Sequence, residues 1–366
     1  MLHVGLDLSR RRLDYLALTE DGIHVDVGAA PPDADGLRGL AARLAAHGEP
    51  IAAVIESMNG ARFVHDTLER CGWEVSVADA QKVRGLAPLA TKTDRIDAWV
   101  LAELSRLSLV PAIWLPDPEI RAERERARFR LYLVRQRVRL KQRVHSTLMA
   151  WGTPCPLTDL FGVRGRELLE RLEVPEPWRS HVRTAVALID DLDREITAID
   201  QGLRRIAAEH PYVALLTTVP GIGPVLGYTI AAEIGEIGRF RSPVKLAGYT
   251  GLCPRVYQSG DSDRRGPLSK HGPRYLRWAL IEAALGASRH PLYRERYERT
   301  KRRLGRQRGP RVAQVELARS LAHAIWHMLI RGEVFAPKAP PTHWPPDGPQ
   351  INCATGARFP SAWSSS

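Results

Sequence analysis

Asp7, Glu56, Asp94 and Asp97 are the residues of the first hundred whose type and spacing could do chemistry. Asp7 stands in HVGLDLS, an apolar run of strand character, and Glu56 closes a second such run, IAAVIES. Asp94 and Asp97 open the amphipathic stretch TKTDRIDAWVLAEL, where an offset of three puts both carboxylates on one helix face. Two strand ends and a helix face can converge although the chain separates them widely. Several carboxylates brought together repel, and they stay ionised together only where cations neutralise them. Hard oxygen ligands of this kind suit Mg²⁺, the usual ion of phosphodiester chemistry.

These carboxylates need elements to carry them, and residues 1–115 supply a pattern. HVGLDLS and LDYLALT, separated by a few polar residues, read as a hairpin; IAAVIES and EVSVADA are further strand-like runs. Helical periodicity lies at 34–47, 60–71 and 94–108. Strands followed by alternating helix and strand match the RNase H-like plan, an α/β layer. PAIWLPDPE at 111–119 is a proline-punctuated boundary.

Charge divides the chain at the same place. Residues 1–117 carry 12 Lys/Arg against 17 Asp/Glu, whereas the remainder carries 41 against 24. An acidic candidate catalytic region joined to a strongly basic body points to a polyanion, with nucleic acid the best fit. Cys71, Cys155, Cys253 and Cys353 form no C-x-x-C pair, which excludes a zinc ribbon and a disulfide framework as expectations. His323 and His327 lack the glutamate of a zinc-protease helix and read as packed or capping residues. No apolar run reaches the ~20 residues of a bilayer span, and no signal peptide is indicated, so no membrane is expected and the location is cytoplasmic.

The basic body has four parts. Residues 119–151 form a long helical pattern with ten Lys/Arg between Arg121 and Arg143, Arg128, Arg135 and Arg139 among them, interleaved with an apolar stripe. That is a helix packed on a partner while presenting arginines to phosphates. Residues 164–208 show heptad-like spacing, a helical hairpin or dimerising arm that Pro211 ends. VPGIGPVLG then has the look of a helix-hairpin-helix turn, in which Gly221 and Gly223 let backbone N–H groups approach a phosphate. A plain packing corner is the competing reading. From 241 to 311 there are 18 Lys/Arg against five Asp/Glu, including a polar, basic, glycine-rich loop leading into a helix. A final helical pattern at 310–331 precedes a Pro/Ser-rich tail that reads as disordered.

GLDLS, IESMNGA, TKTDRIDA, LVRQRVRLKQRVHSTL, TTVPGIGPVLGYTIAAEIGEIGRF and LAGYTGLCPRVYQSGDSDRRGPLSKHGPRYLRWAL occur in that order over about residues 3–330. The arrangement resembles the DEDD-class transposases of the insertion-sequence one-ten family, recombinases guided by a bridge RNA. The resemblance implies a RuvC-like domain at 1–115, a basic helical or coiled-coil region at 116–212, a mainly α transposase domain with the helix-hairpin-helix and a serine loop at 213–333, and a tail at 334–366. It further implies that Asp7, Glu56, Asp94 and Asp97 bind Mg²⁺ and that the serine of YQSG, Ser259, attacks a DNA phosphodiester. Read without the resemblance, Ser259, Ser262 and Ser269 share one loop, and any of them could instead cap a turn.

On that footing the expected activity is DNA strand transfer between donor and target. Arg264, Arg265, Lys270 and Arg274 would grip phosphates near the cut, a bridge RNA would act as guide, and a homodimer or tetramer would supply several cutting centres. Two alternatives stay open. A RuvC-like Holliday-junction endonuclease would use water as nucleophile and leave the serine loop idle. A non-catalytic nucleic-acid-binding protein would use the helix-hairpin-helix alone.

Overall fold

Alternating apolar residues build a mixed sheet at the N-terminus of the chain, and long amphipathic helices build most of the remainder. The structure, a computed structural model, describes residues 1–86, 93–153, 155, 157–259 and 262–336. It divides into two units, Met1–Pro116 and a second beginning at Asp117. Among the described residues no helix is long and apolar enough to cross a membrane.

The N-terminal unit runs β1 (Leu2–Leu8), β2 (Leu13–Leu18), β3 (His24–Ala30), α1 (Ala34–Ala45), β4 (Ile51–Glu56), α2 (Ala61–Glu69), β5 (Glu74–Ala78), α3 (Ala80–Leu86) and α4 (Asp94–Arg106). The strand order is β3-β2-β1-β4-β5, with β1–β2 and β2–β3 antiparallel and β1–β4 and β4–β5 parallel. This is the mixed sheet of an RNase H-like fold, and β1–β2 is the expected hairpin. β3 was not expected: it is an edge strand with no fully buried residue, so its alternation is weak.

Each face of this sheet has its own helices. Leu2, Val4 and Leu6 of β1 and Ala53 and Ile55 of β4 face α1 and α2 in one core. α1 buries Leu37, Leu40, Ala41 and Leu44, the i, i+3, i+4, i+7 stripe, and the Asp33 side chain caps it by accepting from the Gly36 N–H. α4 covers the other face, packing Ala98 and Ala102 on Leu16 and Leu18, and Val100, Leu101 and Leu104 on Val54 and Ala78. Gly5 permits that packing. A Cβ on it would stand 1.8 Å from the Ala98 carbonyl oxygen and 2.6 Å from the Ala102 nitrogen, so only a residue without a side chain lets α4 lie on the strand.

The second unit is mostly helical: α5 (Pro118–Ala150), α6 (Val163–Glu170), α7 (Trp178–Glu209), α8 (Pro211–Leu216), α9 (Pro224–Ile234), α10 (Pro243–Thr250), α11 (Arg274–Ala287) and α12 (Pro291–Arg331), with a two-stranded ribbon, β6 (Pro254–Ser259) and β7 (Ser262–Leu268), before α11. α5 and α7 form an antiparallel pair. Arg130–Asp200 and Arg137–Asp193 step seven residues up one helix and seven down the other, one contact per heptad. The far end of the pair has its own small core of Val144, Leu148, Leu160, Leu169 and Val182. The near end joins α8, α9, α11 and α12 in the main core, where Tyr228, Leu280 and Leu321 are buried.

The pattern at 164–208 is carried by α6 and α7; α7 ends at Glu209 before Pro211, and Pro211 opens α8 at its first turn, where a missing N–H is harmless. Two expectations are corrected. The basic loop of 254–268 is a β-ribbon whose strands flank Gly260–Asp261, a two-residue hairpin signal in the sequence itself. The helix at 310–331 is only the second arm of α12, which breaks at Gly305. The tail beyond residue 336, including Cys353, lies outside the described residues.

Candidate active site

Pleat and register decide where the four acids fall. Gly5 faces α4, and so does His3, whose Nδ1 lies 2.9 Å from Ser105 Oγ of α4. Side chains alternate along a strand, so Asp7, two residues beyond Gly5, faces α4 as well. In the parallel ladder Gly5 pairs with Val54, which packs on α4, so Glu56, two residues on, shares that face. The ladder ends at Leu6–Ile55, leaving Asp7 and Glu56 next in line on neighbouring strands. Both stand at the carboxyl ends of parallel strands, the edge at which open α/β sheets bind ligands.

α4 delivers the other two. It runs opposite to β1: Ser105 sits at His3, and Ala98 and Ala102 sit at Gly5. The next strand step on that face, ~6.6 Å, corresponds to ~4 residues of helix, which brings the first turn of α4 toward Asp7. Asp94 and Asp97 occupy that turn, and Thr93 caps it by accepting from the Ile96 N–H at 3.3 Å. Asp94 is exposed, and Asp7, Glu56 and Asp97 are partly exposed. Thr91 and Lys92 of the same motif lie outside the described residues.

A fifth carboxylate enters that sequence reasoning missed. Asp14 of β2 pairs directly with Asp7 across the antiparallel ladder and is only 8% exposed. Arg12 holds it in a fork, Nε donating to Oδ1 and Oδ2 at 3.0 and 2.9 Å and Nη2 to Oδ1 at 2.7 Å. Those hydrogen bonds keep the Arg12 guanidinium above its ordinary pKa, and the charges of Asp14 and Asp94 act in the same direction. Arg12 therefore places a positive charge beside Asp14 at the acidic edge. Its signal in the sequence is faint: R-x-D in a turn leading into a strand, which in isolation reads as a surface pair.

The donor set consists of hard carboxylate oxygens at one sheet edge, the chemistry that a hard divalent cation takes. Among the described residues no three His, Cys, Asp or Glu side chains stand close enough to enclose an ion.

In the second unit Ser259 ends β6 and pairs with Ser262 of β7, at the tip of the ribbon. Gly260 and Asp261 between them lie outside the described residues. Ser269 is at the other end, its N–H bonded to the Cys253 carbonyl at 2.8 Å. The three serines that the sequence left equivalent are thus two at the tip and one at the base. Arg264 and Arg265 lie on β7 opposite Tyr257 and Val256. Lys270 is exposed and takes a left-handed backbone (φ 55°), held by Arg277 Nη1 donating to its carbonyl at 3.1 Å.

Cations from distant segments meet around one ring. Arg128 and Arg135 of α5 and Arg274 at the start of α11 place their guanidinium carbons 5.0, 5.4 and 4.8 Å from the centre of the Tyr275 ring, and Arg274 Nη2 donates to the Tyr275 hydroxyl at 2.8 Å. Among the described residues Arg128 is the one of the three paired with a carboxylate. It donates to Glu233 at 2.6 and 2.9 Å, and Glu233 is fully buried. Burial lowers the pKa of Arg128 and the bonds to Glu233 outweigh it, for a net rise. The Arg128 guanidinium is committed to Glu233 because a buried carboxylate requires a partner. Arg124, beside it, donates to the Ala232 and Glu233 carbonyls at 2.8 and 2.7 Å and closes the end of α9. Arg274 is exposed and Arg135 partly exposed, and Arg139 is exposed further along α5.

The glycine turn between α8 and α9 separates its two glycines. Gly221 (φ 87°) lies against α11, where a Cβ would stand 2.4 Å from the Ala283 carbonyl oxygen. That is close helix packing. Gly223 caps α9 with open space around it.

Comparison with known proteins agrees with the order of these parts. A DEDD-class family model of the IS110 type, described as "Transposase", matches residues 4–151, and one described as "Transposase IS116/IS110/IS902 family" matches residues 213–298. The chain is 27% identical over 301 residues to the transposase for insertion sequence element IS1328 of Yersinia enterocolitica, covering 78% of this chain and 86% of that one. It is 28% identical over 306 residues to a "Probable family 20 transposase" of Pseudomonas aeruginosa, covering 79% and 86%. With the transposase for insertion sequence element IS1111A of Coxiella burnetii it shares 25% over 286 residues, 77% and 78% of the two chains.

Proposed function

The chain belongs to the IS110-type family of insertion-sequence transposases, and on that premise we propose that it cuts and rejoins DNA by metal-dependent phosphoryl transfer, with Ser259 as the nucleophile. The observation that carries this reading is the gathering of Asp7, Glu56 and the first turn of α4 on one face and one edge of the sheet. Asp7, Glu56, Asp94 and Asp97 would hold Mg²⁺, which when bound supplies Lewis-acid polarisation of the scissile phosphate.

The chain's own residues have the remaining tasks. Arg12 holds Asp14 and offsets part of the negative charge at the edge. Ser259 Oγ would form the new P–O bond as the P–O3′ bond of the cut strand breaks, and the serine proton would end on the departing 3′ oxygen as a 3′-hydroxyl. The phosphoserine ester keeps the energy of the broken bond for rejoining to a second strand. Its place at a ribbon tip supports a nucleophile that must reach into a substrate. Arg264 and Arg265 lie along the same ribbon with Lys270 just beyond it, and Arg135 and Arg274, oriented by Tyr275, would hold phosphates beside it. Gly223, at the open end of α9, would offer backbone N–H groups in a helix-hairpin-helix contact. One such centre cuts one strand, so exchange needs a homodimer or tetramer, for which the α5–α7 arm offers a surface. A guide RNA is part of the proposal, its binding resting on the basic face of α5 that includes Arg139.

The test is covalent trapping on end-labelled DNA in Mg²⁺. Wild-type protein should form an adduct resistant to denaturant, and Ser259→Ala should form none while still binding DNA. An adduct of unchanged yield in Ser259→Ala would sink the nucleophile assignment. Strand cutting without any adduct in the wild type would favour water as nucleophile. Asp7→Asn and Glu56→Gln should each lower cutting by at least about a hundredfold. Unchanged strand exchange in both would leave only an architectural role.

A further inference from the structure

A run of positive charge in α12 belongs to neither the serine ribbon nor the glycine turn and falls beyond residues 213–298 matched by the family model. Between Arg299 and Val315 the sequence holds seven Lys/Arg and no Asp/Glu. Along a straight helix they would spread over all faces. The fold gathers them at a tip.

α12 is broken at Gly305, whose backbone (φ 75°, ψ 175°) belongs to no helix and is open to residues without a Cβ. Past the break the chain reverses. Thr300 Oγ1 donates to Glu316 Oε2 at 3.0 Å, and Arg296 Nη1 donates to Ser320 Oγ at 3.1 Å. Four residues back on one arm match four forward on the other, so the arms are antiparallel. Near the turn they meet backbone to backbone: a Cβ on Gly309 would stand 2.3 Å from the Lys301 carbonyl oxygen. The tip is therefore a tight, pinned hairpin.

Its charges are barely compensated. Glu298 holds Lys301 at 3.1 Å, and Glu316 approaches Arg303 at 3.9 Å, where Arg303 is 65% exposed. Arg302, Arg306, Arg308 and Arg311 are exposed at the tip and have no carboxylate partner among the described residues. A solvated basic helix face normally carries acids in between, and this tip carries none. Fixing several like charges on a rigid loop opposes folding, and a polyanion that neutralises them releases its own counterions. Two helices side by side, each ~10–12 Å across, exceed the ~12 Å of the B-form major groove. The tip would lie across the groove with its arginines on phosphates, where contacts give affinity and register but no sequence readout.

We propose that the α12 hairpin tip, through Arg302, Arg306, Arg308 and Arg311, is a sequence-independent binding site for the backbone of double-stranded DNA. It rests on the transposase reading only for the choice of DNA as the polyanion. The test uses the full chain carrying Arg302→Gln, Arg306→Gln and Arg308→Gln together. Binding is measured to a mixed-sequence DNA duplex and to an RNA duplex of equal length over a range of salt.

The triple variant should bind duplex DNA about ten- to a hundredfold more weakly at moderate salt, and the slope of log K against log salt should become shallower by about 2.7, the value for three lost phosphate contacts. The corresponding Arg→Lys triple, which keeps the charge, should restore most of the affinity. An unchanged slope on DNA, a loss confined to RNA, or failure of the Lys triple to rescue would each overturn the site. Ser259→Ala should keep the wild-type slope while losing strand transfer. If it keeps both, the nucleophile assignment fails while the hairpin site stands.

Discussion

Gly5→Ala adds a single methyl at the point where β1 carries α4, and it couples the fold to the acidic edge. The new Cβ would stand 1.8 Å from Ala98 O, 2.8 Å from Ala98 C and 2.6 Å from Ala102 N, all backbone atoms that no rotamer change can move. Contacts of a real Cβ stay above 3.0 Å, so the helix must retreat by at least about 1.2 Å. β1 is the middle strand, held by β2 and β4 on either side, so α4 is the element that yields. Overpacking of this kind costs about 2 kcal/mol, to which loosened contacts of the buried Ala98, Leu101 and Ala102 contribute. In a unit of this size that lowers the melting temperature by on the order of 10 °C. The functional loss should be larger than the thermal one suggests, because α4 carries Asp94 and Asp97 and a displacement of ~1 Å costs roughly a hundredfold in rate. Differential scanning calorimetry of the full chain reads the first effect, and Mg²⁺-dependent cutting of labelled DNA, at a temperature where the variant is folded, reads the second. Duplex binding by the second unit serves as the control and should not change. A variant that melts within about 2 °C of wild type and cuts within about twofold of its rate would refute the reasoning.

Two further outcomes concern the second unit. Arg128→Ala leaves the fully buried Glu233 carboxylate without its guanidinium; with Arg128 itself about a third exposed, the loss should be on the order of 3 kcal/mol in urea unfolding. Adding Glu233→Gln should recover part of it, and no recovery would mean that the pair is not the cause. Burial, then the charges of Arg319 and His327, lower the pKa of His323, whose buried Nε2 has no hydrogen-bond partner among the described residues. Its folded pKa is thus below the unfolded one, so stability is whole above the unfolded value near 6.5 and falls as pH drops through the folded value. His327 is shifted the same way by burial and adds to the slope. His323→Leu should flatten the decline of melting temperature between about pH 7 and pH 5, and an unchanged slope would exclude His323 as its source.

Much of the first unit was legible in the sequence alone. Period-2 apolar runs marked four of the five strands, and the i, i+3, i+4, i+7 stripe marked α1. β3 escaped because an edge strand outside the core needs no apolar alternation. In the second unit the Gly-Asp step between two short runs was a hairpin signal that the density of charge around it obscured. The fold-back of α12 was hidden because helical periodicity continues on both sides of Gly305 and says nothing of direction.

The acids, the serine and the arginines were all visible as residue types at suggestive spacings, and a three-residue offset alone put Asp94 and Asp97 on one helix face. Which of them share a place was a matter for the tertiary structure. The Asp7–Asp14 pairing, the antiparallel course of α4 over Gly5 and the meeting of Arg128, Arg135 and Arg274 at Tyr275 join residues as far apart as 147 positions. Local pattern records which face of an element is apolar. Strand register, helix direction and the close approach that a missing Cβ permits arise only when separate elements pack, and these decided where the charges meet.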